Sequence, residues 1–148
     1  MAFYYLETSA LVKLYVDEAG TDQLLHLVTA EAGHRFAILA LAQAELRSAV
    51  RRRERAGDLD GQAVSELLER FALHQQSRFL RQNVSDLVID LACDLVDRHP
   101  LRAYDALQLA GCLVLKSVAP EPPIFTCADH QLLHAAEAEG LAWFNPMP

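Results

Sequence analysis

Short apolar runs alternate along this chain with longer stretches in which apolar residues recur every three or four positions. Apolar runs bounded by turn residues predict buried strands, and the longer spacing predicts amphipathic helices. The predicted strands cover residues 3–7, 35–39, 78–82, 124–127 and 142–144, and the predicted helices cover residues 8–16, 21–32, 40–56, 60–76, 85–98, 103–116 and 129–140. Strands separated by helices predict an α/β protein whose parallel sheet is covered on both faces.

The length of 148 residues predicts one domain over residues 1–148, since no repeat or flexible linker interrupts the pattern. No apolar window is long enough to span a membrane, and no basic segment precedes the first apolar run, so neither a membrane span nor a signal peptide is expected. The cysteines at 93, 112 and 127 are odd in number and lack a CxxC pair. They favour a reducing compartment, the cytoplasm.

The net charge of −7 is unusual for a generic nucleic-acid binder, which is typically basic. Positive charge is concentrated in one helical stretch that contains Arg47, Arg51 and Arg52, followed by two further arginines at 53 and 55. Such a run is often only a solvated helix face. If the chain acts on nucleic acid, the contacts must be local, or cations must assist them.

Two acids follow predicted strands, and two more lie within apolar helical stretches. Glu7 ends the first strand and Asp129 follows the strand at 124–127, whereas Glu45 and Asp105 interrupt apolar helices. Each has a structural alternative. Glu7 and Asp129 can cap helices, Asp105 can cap or occupy a first helical turn, and Glu45 can pair with an arginine such as Arg47.

Taken together, the four acids predict a site for a divalent cation. Ligands of parallel sheets bind beyond the carboxyl ends of the strands, and clustered carboxylates require a counter-ion. Oxygen ligands suit Mg²⁺ or Mn²⁺, whereas no His/Cys spacing predicts zinc, and His130 and His134 are interpreted as surface residues. Such a site would hydrolyse a phosphodiester with metal assistance, with the arginines contacting the nucleic-acid backbone.

Four stretches together resemble the PIN-domain family, and within it the VapC-type toxin ribonucleases of type II toxin–antitoxin pairs. They are YLETSALVKLY, LAQAELRSAV, YDALQLA and TCADHQLLHAAEAEGL, in the order expected of the family and over nearly the whole chain. The resemblance implies a three-layer α/β/α sandwich around a parallel sheet. It also implies a Mg²⁺- or Mn²⁺-dependent endoribonuclease that forms a homodimer and is inhibited by an antitoxin.

The resemblance also assigns roles to particular residues. The catalytic and metal-binding acids would be Glu7, Glu45, Asp105 and Asp129; the supporting residues would be Thr8 or Ser9 for the first acid and Thr126 for the fourth; Arg47, Arg51 and Arg52 would contact the RNA backbone or the antitoxin. A groove formed by the helices at 8–16, 21–32 and 40–56 is the expected docking surface for the antitoxin.

The first acid departs from the family pattern, because Glu7 stands where Asp is usual. The extra methylene moves the carboxylate, and Mg²⁺ demands near-ideal octahedral geometry. Three interpretations follow: a site adapted to Glu, weaker metal binding or a preference for Mn²⁺, or an attenuated module that binds antitoxin or RNA without efficient turnover. A phosphomonoesterase is a weaker alternative, since it would want Asp at position 7 and again where Ser9 stands.

Overall fold

A five-stranded parallel sheet forms the centre of the computed structural model, which describes residues 1–148 apart from the side chain of Ala30. The strands are β1 (Phe3–Leu6), β2 (Arg35–Leu39), β3 (Phe79–Gln82), β4 (Ile124–Thr126) and β5 (Ala142–Phe144). The helices are α1 (Thr8–Val12), α2 (Thr21–Val28), α3 (Ala42–Arg55), α4 (Gly61–Ser77), α5 (Asp86–Arg98), α6 (Ala103–Val118) and α7 (His130–Ala138), with a short 3-10 helix at Ala30–Ala32. The strand order is β3-β2-β1-β4-β5, and every neighbouring pair is parallel.

The sheet carries an apolar core on each face. Successive side chains of a strand point to opposite faces, so Tyr5 packs with α5, α6 and α7, and Leu6 packs with helices α1 to α4. Phe125 lies in the first core and Ile38 in the second, and both are fully buried. The predicted three-layer α/β/α sandwich is confirmed.

Two helices near the N-terminus differ from their predicted bounds. α1 ends at Val12 rather than continuing to residue 16, and its N-cap is Glu7. The helix predicted at 21–32 is interrupted at Thr29, whose backbone is extended (φ −63°, ψ 142°). Gly57, just after the end of α3, adopts a left-handed conformation, with φ +86°.

The crevice beside β1 and β4 is the topological switch point of the sheet, because chain connections leave these neighbouring strands toward opposite edges. The two strands end together: the backbone N–H of Glu7 donates to the carbonyl of Thr126 at 3.0 Å. Glu7 and Asp129 therefore follow adjacent strand ends, at the place where open α/β sheets bind ligands.

α6 lies very close to the sheet, and a glycine permits this approach. A Cβ added at Gly111 would lie 2.6 Å from the hydroxyl oxygen of Tyr5 and 2.7 Å from Cδ1 of Leu39. The same helix carries Asp105 in its first turn, so the close packing holds this acid at the switch point. None of the described helices is long and apolar enough to cross a membrane.

Candidate active site

An open cleft of about 600 Å³ brings together the four acids predicted from the sequence. Glu7 comes from the end of β1, Glu45 from the first turn of α3, Asp105 from the first turn of α6 and Asp129 from the N-cap of α7. Four basic side chains share its lining: Lys13, Arg52, Arg53 and Arg102. The cleft thus places acids at the strand ends and positive charge around them.

Ser9 holds the carboxylate of Glu7 in place. Oε2 of Glu7 accepts the backbone N–H of Ser9 at 2.9 Å and also the Ser9 hydroxyl, so the acid caps α1. The Ser9 hydroxyl oxygen accepts in turn from the N–H of Ala128 at 3.0 Å, which links the first acid to the loop after β4. Burial raises the pKa of Glu7 from its ordinary 4.5 to about 7, against the opposing effect of the Ser9 hydrogen bonds.

Glu45 is held by a buried polar network that the sequence did not reveal. Its Oε1 accepts from the Thr8 hydroxyl at 2.8 Å and from Nε2 of Gln108 at 2.7 Å. Gln108 is fully buried, and its Oε1 accepts the hydroxyl of Tyr5 at 3.2 Å. The alternative pairing of Glu45 with Arg47 is absent from the described side chains; Arg47 is exposed and lies outside the cleft.

Asp105 and Asp129 lie at helix starts on the opposite side of the switch point. Oδ2 of Asp105 is 3.5 Å from Nε of Arg102. Partial burial raises the pKa of Asp105, and the charge of Asp129 adds to this, while Arg102 opposes it. Oδ1 of Asp129 accepts the backbone N–H groups of Gln131 and Leu132 at 2.9 and 3.1 Å, so Asp129 caps α7.

Cys127 rather than Thr126 contacts the fourth acid. The Thr126 hydroxyl donates to the carbonyl of Ile124 at 3.1 Å, and no hydrogen bond joins it to Asp129 among the described side chains. The backbone N–H of Asp129 instead donates to Sγ of Cys127 at 3.3 Å. Burial raises the pKa of the Cys127 thiol, which stays protonated and acts as a structural support.

The donor set fits a hard divalent cation in kind and in charge. Each acid uses one carboxylate oxygen for its structural contact and leaves the other, Oε1 of Glu7, Oε2 of Glu45, Oδ1 of Asp105 and Oδ2 of Asp129, without a hydrogen bond among the described residues. As placed, however, no three His, Cys, Asp or Glu side chains of the described residues converge closely enough to hold an ion. Occupation would require side-chain rotation.

The positive charge around the cleft differs in part from the predicted set. Arg52 lines the cleft, whereas Arg47 and Arg51 do not, and Arg51 pairs with Glu54 at 2.9 Å. Lys13, which the sequence analysis did not single out, lines the cleft and is almost fully buried. The sequence signal that could have identified Lys13 is a single lysine within an apolar stretch.

Glu18 neutralises two of the basic side chains of the cleft. It pairs with Lys13 at 2.9 Å and also with Arg53. Arg102 pairs only with Asp105, and Arg52 has no ion pair among the described side chains. Arg52 is therefore the cleft arginine whose charge is least compensated within the chain.

Comparisons with known proteins agree with the fold. A family model of the PIN domain matches residues 4–137. Ribonuclease VapC35 of Mycobacterium tuberculosis is 34% identical over 142 residues, which cover 96% of each chain.

Two solved structures share the fold at low sequence identity. VapBC2 from Rickettsia felis, bound to a DNA fragment from its promoter, matches with a TM-score of 0.67 at 15% identity over 97% of this chain and 98% of that one. A toxin–antitoxin complex from Klebsiella pneumoniae matches with a TM-score of 0.66 at 14% identity over 97% of both chains. With four acids at one sheet edge and a family match over most of its length, the chain belongs to the PIN-domain family and, within it, to the VapC-type proteins.

Proposed function

We propose that this protein is a divalent-metal-dependent endoribonuclease and the toxin of a toxin–antitoxin pair. The observation that carries the proposal is the single cleft at the switch point, lined by Glu7, Glu45, Asp105 and Asp129 although these residues are far apart in the sequence. The matched relative from M. tuberculosis is named a ribonuclease. Mg²⁺ or Mn²⁺ is the proposed cofactor, because carboxylate oxygens are their usual ligands.

The chain's own residues divide the work between holding the cation and holding the RNA. The four acids would ligate the cation, which when bound supplies an activated water and stabilises charge on the phosphoryl oxygens. Ser9 fixes Glu7, while Thr8 and Gln108 fix Glu45, so each of these two carboxylates is held through one oxygen and keeps the other without a hydrogen bond among the described residues. Arg52 and Arg102 border the cleft where they can contact phosphates of the RNA backbone.

The attenuated binding module is not favoured over a working nuclease. A relative that matches 96% of this chain is named a ribonuclease, and Glu7 lies in the same cleft as the other three acids. The second carboxylate oxygen of Glu7, Oε1, has no hydrogen bond among the described residues and is not fully buried. Glu7 therefore keeps one oxygen available to a cation, and we infer a metal site that is adapted to Glu at this position.

The test is RNA cleavage by four proteins side by side, with Mg²⁺ and with Mn²⁺: the unchanged chain, Glu7→Asp, Asp105→Asn and the control Asp90→Asn. Asp90 is exposed on α5 and lies outside the cleft. We expect the unchanged chain and Asp90→Asn to cleave RNA, and Asp105→Asn to lose at least 100-fold in kcat/KM, roughly 3 kcal/mol of transition-state stabilisation. Equal cleavage by Asp105→Asn and the unchanged chain would contradict the proposal, and cleavage by Glu7→Asp alone would restore the attenuated module.

An antitoxin is the proposed protein partner, as in the toxin–antitoxin complexes that share this fold. A cavity of about 540 Å³ lies between α2 and α4, with Leu14, Tyr15 and Phe36 at its apolar wall; unlike the expected groove, it has no residue of α3 in its lining. Arg51 and Arg52 lie on α3, outside this cavity. If acidic residues of the antitoxin contact α3, the double variant Arg51→Glu, Arg52→Glu should bind the antitoxin more weakly. Unchanged binding would show that α3 makes no such contact.

A homodimer, a single domain over residues 1–148 and a cytoplasmic location complete the proposal. α4 and α5 expose four large apolar side chains, Leu73, Leu87, Ile89 and Val96, which a dimer interface on these helices would cover. The three cysteines are unpaired, as a reducing compartment requires. Sedimentation should give a dimer mass, and Leu87→Asp together with Ile89→Asp should shift it to the monomer; a monomeric unchanged chain would contradict the dimer.

A further inference from the structure

A second, smaller cavity of about 340 Å³ opens beside Glu45, and the proposed hydrolysis does not account for it. It is lined by Ala44, Glu45, Ser48, Arg52 and Tyr104. Three of these residues, Glu45, Arg52 and Tyr104, also line the acidic cleft. The two cavities are therefore neighbours, so a chain held in one can extend into the other.

Tyr104 presents an aromatic ring at the boundary of the two cavities. It is 41% exposed, and its hydroxyl has no hydrogen-bond partner among the described residues. The guanidinium carbon of Arg102 lies 4.8 Å from the ring centroid, and Arg102 lines the cleft but not the smaller cavity. The ring is thus supported by a cation on the cleft side and remains available to a planar group in the smaller cavity.

The opposite wall of the smaller cavity comes from one face of α3. Ala44, Ser48 and Arg52 follow one another at intervals of four residues and so lie on the same side of the helix. The short side chains of Ala44 and Ser48 leave room in front of the Tyr104 ring. The polar groups of Ser48 and Arg52 have no intramolecular partner among the described side chains, so both can bind a ligand.

We propose that the smaller cavity binds one unpaired nucleobase of the RNA, adjacent to the phosphodiester held in the acidic cleft. The base stacks on Tyr104 and its polar edge meets Ser48, while Arg52, which lines both cavities, contacts the adjoining phosphate. A base inside a duplex is already stacked and paired, so only an unpaired base can enter this cavity. This inference rests on the proposed ribonuclease function and adds the base contact that the four acids lack.

The test compares two probes of equal length and charge, a single-stranded uridine 12-mer and an abasic ribose-phosphate 12-mer. Binding is measured by fluorescence anisotropy with Mg²⁺ in an Asp105→Asn background, which prevents cleavage. The variants are Tyr104→Ala, Tyr104→Phe and the control Trp143→Ala, an exposed aromatic residue that lines neither cavity. Thermal unfolding of each variant verifies that it is folded.

We expect Tyr104→Ala to weaken uridine binding about 5- to 150-fold, the range for loss of one stacked base, and to leave abasic binding unchanged. Tyr104→Phe retains the ring and should bind within about twofold of the parent, as should Trp143→Ala. Equal weakening for both probes, or no weakening, would overturn the proposal, because then the ring would not contact a base.

A second measurement places a reporter at the ring itself. The chain has one tryptophan, Trp143, so Tyr104→Trp combined with Trp143→Phe leaves a single indole at the boundary of the two cavities. Stacking of a uridine on this indole should quench its fluorescence, and the abasic probe should not; equal signals with both probes would overturn the proposal.

Cleavage kinetics distinguish the failure of this inference from the failure of the proposed function. If the unchanged chain binds as expected but cleaves no RNA with either metal, the base site stands and the hydrolytic function fails. If it cleaves RNA and Tyr104→Ala cleaves with an unchanged kcat/KM, the function stands and the base site fails.

Discussion

Glu7 makes the stability of the metal-free protein depend on pH. Because burial raises its folded-state pKa from 4.5 to about 7, the folded protein binds more protons than the unfolded chain between these values. The free energy of unfolding therefore falls as pH rises through this window, by roughly 3 kcal/mol at most for this group. Glu7→Gln removes the titration, so its unfolding free energy should exceed that of the parent at pH 8 and not at pH 4.

Urea denaturation in a chelator at both pH values measures this difference. Glu31→Gln is the matched control, because Glu31 is exposed and should leave the pH dependence of the parent unchanged. If the difference in unfolding free energy between the parent and Glu7→Gln is the same at pH 4 and at pH 8, Glu7 is not buried as described.

Gln108 is expected to stabilise both the fold and the position of Glu45. Gln108→Leu retains the volume but leaves Tyr5, Thr8 and Glu45 without a shared partner, at a cost of about 1–3 kcal/mol in unfolding free energy. Calorimetric affinity for Mn²⁺ should also fall, since one constraint on the Glu45 carboxylate is lost. Gln62→Leu, at an exposed position on α4, should change neither quantity; an unchanged Mn²⁺ affinity in Gln108→Leu would contradict the positioning role.

Residues with a positional signal could be predicted, and residues whose role depends on a distant partner could not. Glu7 and Asp129 end or follow strands, and Asp105 opens a helix, so the sequence pattern placed them at one sheet edge. Gln108 contacts Thr8, a hundred residues away in the chain, and nothing local to the LQL segment indicates that partner. Glu7 caps α1, as its structural alternative predicted, and it also lines the cleft, so the two interpretations of this residue are not exclusive.

At the scale of elements, the contact between α6 and the sheet depends on Gly111. Gly111→Ala adds a methyl group at a place already occupied by Tyr5 and Leu39, both fully buried. Overpacking of this kind costs about 1–3 kcal/mol, which exceeds the gain of about 1 kcal/mol in helix propensity. We therefore expect lower stability in urea, and weaker cleavage because Asp105 and Gln108 move with the helix.

Gly61→Ala serves as the control for Gly111→Ala. Gly61 is the first residue of α4, and an added Cβ would be in ordinary contact with Glu54 at 3.4 Å. Its stability should stay within about 0.5 kcal/mol of the parent. If both alanine variants are equally stable, the proximity of α6 to β1 and β2 is not limited by this glycine.

Elements bounded by turn residues were predicted well, and the two N-terminal helices less so. β2 and β5 match their predicted bounds, because turn residues delimit both. α2 was predicted without its interruption at Thr29, and α1 was predicted too long, because apolar residues at 14–16 continue the helical pattern after the helix has ended at Val12. These residues are apolar because they pack on the core outside regular helix, which periodicity alone does not reveal.

At the scale of the whole molecule, an acidic protein must bind RNA through a few local charges. The chain carries a net −7, and Arg52 is the cleft arginine without an ion pair among the described side chains. We expect a plot of log K against log salt for a uridine 12-mer to have a shallow slope. Arg52→Gln should reduce that slope by about 0.7, the value for one phosphate contact with a single strand.

Arg47→Gln is the comparison for Arg52→Gln, since both arginines are exposed on α3 but only Arg52 lines the cleft. Its salt dependence should equal that of the parent. A change of slope in Arg47→Gln equal to that in Arg52→Gln would mean that the RNA follows the outer face of α3 instead of the cleft.

The strand order has a consequence for the protein as it is being synthesised. β1 is made first but lies between β2 and β4, so one of its edges stays unpaired until residues 124–126 have been added. The ribosome therefore releases more than a hundred residues before the switch point can close. A nascent or prematurely terminated chain that stops before residue 129 lacks the fourth acid and the closed switch point, so such a chain should not cleave RNA.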